Sequence, residues 1–365
     1  MYNKNESCIG IVCILNSNCS EDIMNFLPPP NDNKVLAFGI GTAGSHILSY
    51  LANNNMFIDN YVSISCDKQD LEFASNTEKI FLDIGAKGNR TPSYIRGATQ
   101  IYMKEIRRIL NSTRLVFLIS GLGGCTGSGL APLISKIAKE EGALTINIVI
   151  TPFSFEKSKH FYTGIALKNI KKNSDAVIIV DNDMISSINP QMSISEFYTI
   201  INEKISISLS GIIESSGELN VGMNKLIDTI TNHGYSVLSI GTSSSINKAE
   251  DATVRAVESI YNVGEPEEVK KVILHLIGGK NITTNEIVSS TSRLNTMLGM
   301  GSLEVYQGCN VNSGDTMTAI LLVSGFENTK FDNYDPIDKA LHNNHIDPDM
   351  DCSIDFELLE LVQME

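Results

Sequence analysis

Ten consecutive residues stand out for the chemistry they could do: Ser120-Gly121-Leu122-Gly123-Gly124-Cys125-Thr126-Gly127-Ser128-Gly129. The glycines let the backbone present a row of N–H donors, and the hydroxyls of Thr126 and Ser128 add side-chain donors. Set between a strand and a helix, such a loop is an anion cradle, because the helix N-terminus adds unpaired N–H groups and a positive dipole end. No G-x-x-x-x-G-K-[ST] occurs, so the cradle is not that of a P-loop enzyme. A second loop, Phe38-Gly39-Ile40-Gly41-Thr42-Ala43-Gly44, has G-x-G-x-x-G spacing after an apolar run. By itself this spacing fits dinucleotide folds and also turns with no ligand. Further on, Tyr198 and Asn202 lie one helical turn apart on one face. They offer a ring that could stack and a carboxamide that both donates and accepts, although Tyr198 alone reads as core.

Two phosphate-sized loops must be carried by strands that end side by side. Lys34–Phe38, Tyr61–Ser65, Leu115–Ser120, Leu144–Thr151 and Ala176–Val180 are short apolar runs that read as buried strands. Ser45–Ala52, Ile95–Leu110 and Leu130–Glu141 read as helices between them, the last with Pro132 in its first turn. This alternation predicts a parallel sheet with helices on both faces. Ile194–Ile213 is predicted as one long helix. A second, smaller α/β layer follows: helices Met223–His233, Ala249–Tyr261 and Thr284–Leu298 with strands Tyr235–Gly241, Val272–Ile277, Leu303–Val311 and Thr316–Gly325.

The chain has 365 residues, 42% apolar and 19% charged, enough for buried cores and two domains. Its net charge of -14 disfavours nucleic acid as a partner, and no apolar run is long enough to span a bilayer. Seven cysteines without a C-x-x-C pair suggest reduced thiols and a cytoplasmic setting. Pro28-Pro29-Pro30 marks a linker after an N-terminal arm. From Asn328 onward ten acidic residues face two lysines, the composition of a solvated, disordered tail. That tail ends in the more apolar peptide Ile354–Val362.

Gly123-Gly124-Cys125-Thr126-Gly127-Ser128-Gly129 resembles the G-G-G-T-G-[ST]-G signature of the tubulin/FtsZ superfamily, with Cys125 as the one substitution. The resemblance runs collinearly from about Lys34 to Phe326. Pro152-Phe153-Ser154-Phe155-Glu156 is similar to the family's ribose loop, and Asp181-Asn182-Asp183 to its guanine-contacting turn. It implies an α/β fold with a Rossmann-like GTP-binding domain (34–193), a central helix and linker (194–219) and a C-terminal domain (220–327). An N-terminal extension (1–33) and an acidic tail (328–365) flank these. It implies GTP or GDP as ligand, with Gly41, Thr42, Ala43, Gly123, Gly124, Cys125, Thr126 and Gly127 at the phosphates. Asp67 would lie near a Mg²⁺ ion, with a plain helix cap as the competing reading. Gly88 and Asn89 would sit in the γ-phosphate loop, Glu156 at the ribose, Asn182 and Asn202 at the base edge, and Tyr198 stacked on guanine.

The departures from the family pattern carry as much information. His46 stands where FtsZ usually has a guanine-contacting Asn, and His160 where it has an Arg. In the loop whose two Asp residues complete the next subunit's site, this chain has Gly222 and Lys225. Neither accepts a hydrogen bond from water at neutral pH, which leaves Glu218 and Asp228 as candidate substitutes. The implied protein is an FtsZ-like GTP-binding, filament-forming protein of cell division or cytoskeletal positioning, with weak or partner-dependent hydrolysis. Two other readings stay open: a non-hydrolysing regulator that co-assembles with a true FtsZ, and a full GTPase using a substitute acid. The implied partners are other copies in a head-to-tail filament or a true FtsZ, and a membrane-tethering adaptor held by Ile354–Val362. An NAD-dependent dehydrogenase ranks last, since it does not account for the second cradle.

Overall fold

The computed structural model describes residues 34–53, 58–85, 90–186, 193–213, 219, 221–231, 234–265, 269, 271–279, 282–298, 303–311 and 314–334. Runs of Val, Ile, Leu and Phe with little polar alternation form strands buried on both faces. These are β1 (Lys34–Ile40), β2 (Asn60–Ser65), β4 (Thr113–Gly121), β5 (Leu144–Thr151) and β6 (Ala176–Asp181), with the short β3 (Glu78–Phe81) at one edge. Leu36, Phe38, Val116, Leu118, Ile146 and Ile179 are wholly buried at their centre. The second layer supplies β7 (Tyr235–Ser243), β8 (Lys271–Gly278), β9 (Glu304–Val311) and β10 (Met317–Phe326).

All ten belong to one sheet of order β3-β2-β1-β4-β5-β6-β7-β10-β8-β9. The strands from β3 to β7 run parallel, β10 is antiparallel to both β7 and β8, and β9 is parallel to β8. Phe38 sits opposite Val62 on one side and Leu118 on the other. The layer expected as separate is thus continuous with the first, through pairs such as Val177–Tyr235 and Ile179–Val237. Strand order reverses between β1 and β4, and ligands of parallel α/β sheets bind at the carboxyl ends beside such a reversal. Both glycine loops lie there.

The helices are α1 (Gly41–Asn53), α2 (Lys68–Glu72), α3 (Pro92–Ala98), α4 (Met103–Leu110), α5 (Cys125–Glu140), α6 (Lys157–Lys172), α7 (Asn182–Ser186), α8 (Ile194–Ile213), α9 (Gly222–Ile230), α10 (Lys248–Tyr261) and α11 (Thr284–Leu298). The long α8 and α11 match the sequence prediction. The helix predicted over Ile95–Leu110 is instead α3, a 3₁₀ turn (Thr99–Tyr102) and α4. It starts early because Thr91 caps α3, accepting from Tyr94 N at 3.2 Å, with Pro92 in its first turn. Helix α5 begins at Cys125 rather than Leu130, so Pro132 lies inside it and not in its first turn. Helix α6 was not anticipated, because its buried stripe is only Thr163, Gly164, Ala166, Leu167 and Ile170 among lysines.

The acidic tail was expected to begin at Asn328, yet residues 328–334 are docked. Phe331 is wholly buried, and a 3₁₀ turn (Lys330–Tyr334) lies against α6. Asp332 Oδ2 caps this turn by accepting from Thr329 N at 2.5 Å, and Lys171 Nζ donates to Glu327 O at 3.0 Å. The N-terminal extension and the peptide Ile354–Val362 lie outside the described residues.

Candidate functional site: two glycine cradles and a base-sized cleft

Helix α1 starts directly from the end of β1, and three residues separate the end of β4 from α5, so two helix N-termini converge on one cleft of about 580 Å³. That volume suits a small-molecule ligand, and the paired dipole ends favour an anionic one. Gly41, Thr42, Ala43, Gly124, Cys125, Thr126 and Gly127 all line it. Gly41 turns with φ +69°, a conformation that a side chain resists. At Gly127 a Cβ would collide with the backbone oxygen of Gly121, so only glycine lets α5 start this close to β4.

Gly123 N donates to Ser128 Oγ at 2.8 Å, and Ser128 is buried. Ser128 therefore braces the loop from behind instead of lining the cleft as a donor. The Thr126 hydroxyl bonds the Cys66 thiol, but burial outweighs that bond and pushes the thiol up to about 11. Asp67 caps α2, accepting from Gln69 N at 3.0 Å, and does not line the cleft. Among the described residues no three His, Cys, Asp or Glu side chains converge as a metal site. The described residues do not by themselves fit a resident Mg²⁺. Gly88 and Asn89 lie outside the described residues.

The other end of the cleft is formed by the loop after β5, by α7 and by α8. Glu156 faces it with one carboxylate oxygen accepting from Phe153 N at 3.1 Å and the other paired with Lys159. Lys159, Thr151 and Thr199 also line the cleft and were not picked out from sequence. Tyr198 is 37% exposed, its ring 5.9 Å from that of Phe153, and burial raises its phenol above the usual value. Asn202 follows on the same face, and below it Ser206 Oγ reaches Asn202 O (2.7 Å) and Ile47 O (3.2 Å), tying α8 to α1. His46 lines the cleft with its ring tilted against Phe73 at 5.3 Å. His160 is directed elsewhere: it stacks on Tyr334 at 3.7 Å, and its Nε2 lies 3.3 Å from Phe153 O.

Asn182 lines this end of the cleft at 5% exposure, and among the described residues its Oδ1 has no hydrogen-bond partner. A buried acceptor left unsatisfied costs about 1–3 kcal/mol, which a ligand N–H donor would recover. The polar groups of this cleft therefore fit a ligand with an anionic end and a hydrogen-bonding planar end.

None of the α9 residues lines the cleft. Gly222 opens α9 with φ +76° and carries no side chain to act with. Lys225 is exposed, with Nζ 5.4 Å from the centre of the Tyr306 ring. Asp228, a candidate substitute acid, is already engaged: it accepts from Lys271 Nζ at 2.6 Å and from Tyr306 OH at 2.7 Å. Burial and this bond hold the Tyr306 phenol well above its usual pKa, so it stays a donor. Glu218 lies outside the described residues.

Known proteins bear on this arrangement in three ways. A profile described as "Tubulin/FtsZ family, GTPase domain" matches residues 34–190, the segment that holds both cradles. "Cell division protein FtsZ 2" of Haloferax volcanii is 26% identical over 276 residues, covering 73% of this chain and 68% of its own. Among solved folds, the M. jannaschii "FtsZ dimer, empty" superposes with TM-score 0.69 at 23% identity, over 84% of this chain and 92% of its own. "CetZ2 from Haloferax volcanii - GTPgS bound protofilament" does so with TM-score 0.66 at 22% identity, over 84% and 99%. The likeness in structure shows the fold, the profile places residues 34–190 with the GTPase domain of the tubulin/FtsZ family, and together these similarities support membership of the tubulin/FtsZ superfamily.

Proposed function

We propose that this chain binds GTP and GDP in the cleft and assembles head to tail into filaments that serve cell division or cytoskeletal positioning in the cytoplasm. The observation that carries the nucleotide reading is Asn182 Oδ1, without a partner among the described residues and buried at the end of the cleft opposite the two glycine cradles. It supports an N–H donor on positions 1 and 2 of the bound base, where guanine offers N1–H and N2–H₂ and adenine has only the N1 acceptor and a C–H, its one amino group being at C6. The backbone donors from Gly41 to Ala43 and from Gly124 to Gly127 would hold the phosphates. Glu156 would accept from ribose hydroxyls, Tyr198 would stack on the base, and Asn202 would pair with its edge. His46 would close the base end from α1. Among the described residues no helix is long and apolar enough to cross a membrane. Attachment to a membrane-tethering adaptor would run through Ile354–Val362.

Hydrolysis is weak or partner-dependent in this reading. The two positions from which family acids reach the neighbouring subunit's nucleotide hold Gly222 and Lys225, and Asp228 is spent on Lys271 and Tyr306. That engagement disfavours a substitute acid at Asp228 and favours, as the second reading, a regulator that co-assembles with a true FtsZ. Lys225 would pair with the terminal phosphate of the adjoining subunit and strengthen the contact without activating water. The reading is tested by GTP turnover and sedimentation, alone and with a conventional FtsZ. GTP-dependent pelleting with slow phosphate release supports it. Equal affinity for GTP and ATP overturns the base assignment, and turnover at the rate of an ordinary FtsZ overturns the account of α9.

A further inference from the structure

The carboxylate of Asp181 ends β6 with no solvent exposure, one residue before Asn182. Its Oδ1 accepts from Asp183 N (3.1 Å) and from Thr151 Oγ1 (3.2 Å), so it fixes the backbone of the turn that presents Asn182. A buried charge needs a partner, and among the described residues the cation paired with it is Lys330, contributed from 149 positions along the chain. Burial pushes the Asp181 carboxyl up and the ammonium of Lys330 pulls it back down.

Lys330 belongs to the segment expected to be solvated tail. In the fold it forms a strap, residues 329–334, that leaves β10 and crosses the end of α6. The strap touches the Asp181–Asp183 turn directly and is linked to the loop after β5 through Asp183 and through His160 of α6. Lys330 reaches Asp181 and also lies 3.7 Å from Asp183, and Asp183 accepts from Ser154 N in the loop after β5. Tyr334 stacks on His160 at an interplanar angle of 3°, and His160 in turn lies against Phe153 O of that same loop. Phe331, wholly buried, anchors the strap between these two contacts.

We propose that the strap is a positioning element of the cleft: Lys330 compensates Asp181, and the compensated carboxylate shapes the Asp181–Asp183 turn so that Asn182 meets the base. This rests on the reading of the cleft as a guanine-nucleotide site. Base recognition then depends on docking of the segment that leads directly into the acidic tail, so the two equilibria are linked. Linkage is reciprocal: if docking strengthens nucleotide binding, nucleotide protects the strap by the same factor.

The test is calorimetric titration of GTP and ATP into the full-length chain and its Lys330→Met, Lys330→Arg and Asp181→Asn/Lys330→Met variants. Lys330→Met strands a buried carboxylate and should weaken GTP by about tenfold or more, with a smaller loss for ATP. Lys330→Arg restores the pair. The double variant removes the charge yet keeps an acceptor for Asp183 N and Thr151 Oγ1, so it should return GTP affinity to within about threefold of the parent. A merely structural role would leave the double variant as impaired as Lys330→Met, and that result overturns the proposal. So does a Lys330→Met variant with parental GTP affinity and parental GTP-to-ATP ratio. Hydrogen exchange on the unaltered chain gives a readout independent of any variant's folding: saturating GTP should slow exchange across residues 326–334, and unchanged exchange overturns the link. A parent chain that binds no GTP refutes the nucleotide reading itself, which is a different result from GTP binding that ignores the strap.

Discussion

Asn182→Leu separates a binding role from a structural one by the sign of two effects. In the ligand-free fold Asn182 is 5% exposed and its Oδ1 is unpaired among the described residues, a desolvation cost of about 1–3 kcal/mol. Leucine has a similar shape and no polar atom, so the substitution removes that cost. A gain of 1 kcal/mol raises Tm by roughly 2–4 °C in a domain of 150–250 residues, and this longer chain falls at the low end of that range. The nucleotide-free variant should therefore melt about 2–5 °C higher. The same change removes the acceptor for a base N–H, so GTP affinity should fall by about 5- to 150-fold while ATP affinity moves much less. Scanning calorimetry without nucleotide and isothermal titration with GTP and ATP measure both. A residue held for function should show stability gained and binding lost. A lower Tm together with undiminished GTP affinity would refute the reasoning, since Asn182 would then be an ordinary structural polar group.

Three further outcomes follow from the geometry. Replacing Asp228 by Asn leaves Lys271 without its ion pair and should cost about 1–3 kcal/mol in urea denaturation while leaving GTP turnover unchanged; a fall in turnover would return Asp228 to the list of catalytic acids. Gly222→Asp with Lys225→Asp should raise phosphate release from filaments by about 10²–10⁴-fold, and unchanged release would show that the missing acids are not what limits hydrolysis. His275, buried in β8 with neither ring nitrogen bonded among the described residues, has its pKa pushed down by burial to about 4. The unfolded histidine, near pH 6.5, takes up a proton that the fold refuses, so stability is full above pH 6.5 and falls by up to about 3 kcal/mol as pH drops toward 4. Urea midpoints at pH 7 and pH 5 should show a shallower acid loss in His275→Leu, and equal losses would refute the assignment.

The long elements were legible because hydrophobic period and length agree in them: α8 over Ile194–Ile213 and α11 over Thr284–Leu298 lie where the sequence puts them. Helix α6 was not, since its buried face is made of threonine, glycine and alanine with few large apolar residues, and lysines dominate what shows. The start of α5 was misplaced because glycine discourages a helix, while here close approach to Gly121 O requires glycine inside its first turn. The docked strap was hidden by composition: Asp332 and the acidic residues after it suggest solvent, but Phe331 and the Asp332 cap decide the local outcome.

In the site, what could be read from sequence was the set of residues whose type and spacing marked them as candidates for the cleft. Gly41, Thr126, Gly127, Asn182, Tyr198 and Asn202 come from four separate segments and meet on one cleft. What could not be read was which polar groups are already occupied by their neighbours. Asp228 reads as an available carboxylate in the sequence and is a doubly bonded one in the fold, and the carboxylate of Glu156 is shared between Phe153 N and Lys159. Asp181 carries the argument furthest. A charge with no exposure can be retained there only because a lysine 149 positions away reaches it, and a pattern read along the chain holds no trace of that pairing. The departure from the family pattern at His160 becomes intelligible on the same basis, since its ring is stacked on Tyr334 of the strap and not turned into the cleft. The cleft and its supports are thus assembled from segments spread between Gly41 and Tyr334, and substitutions distant in sequence from the glycine loops should be judged by whether they disturb this closure.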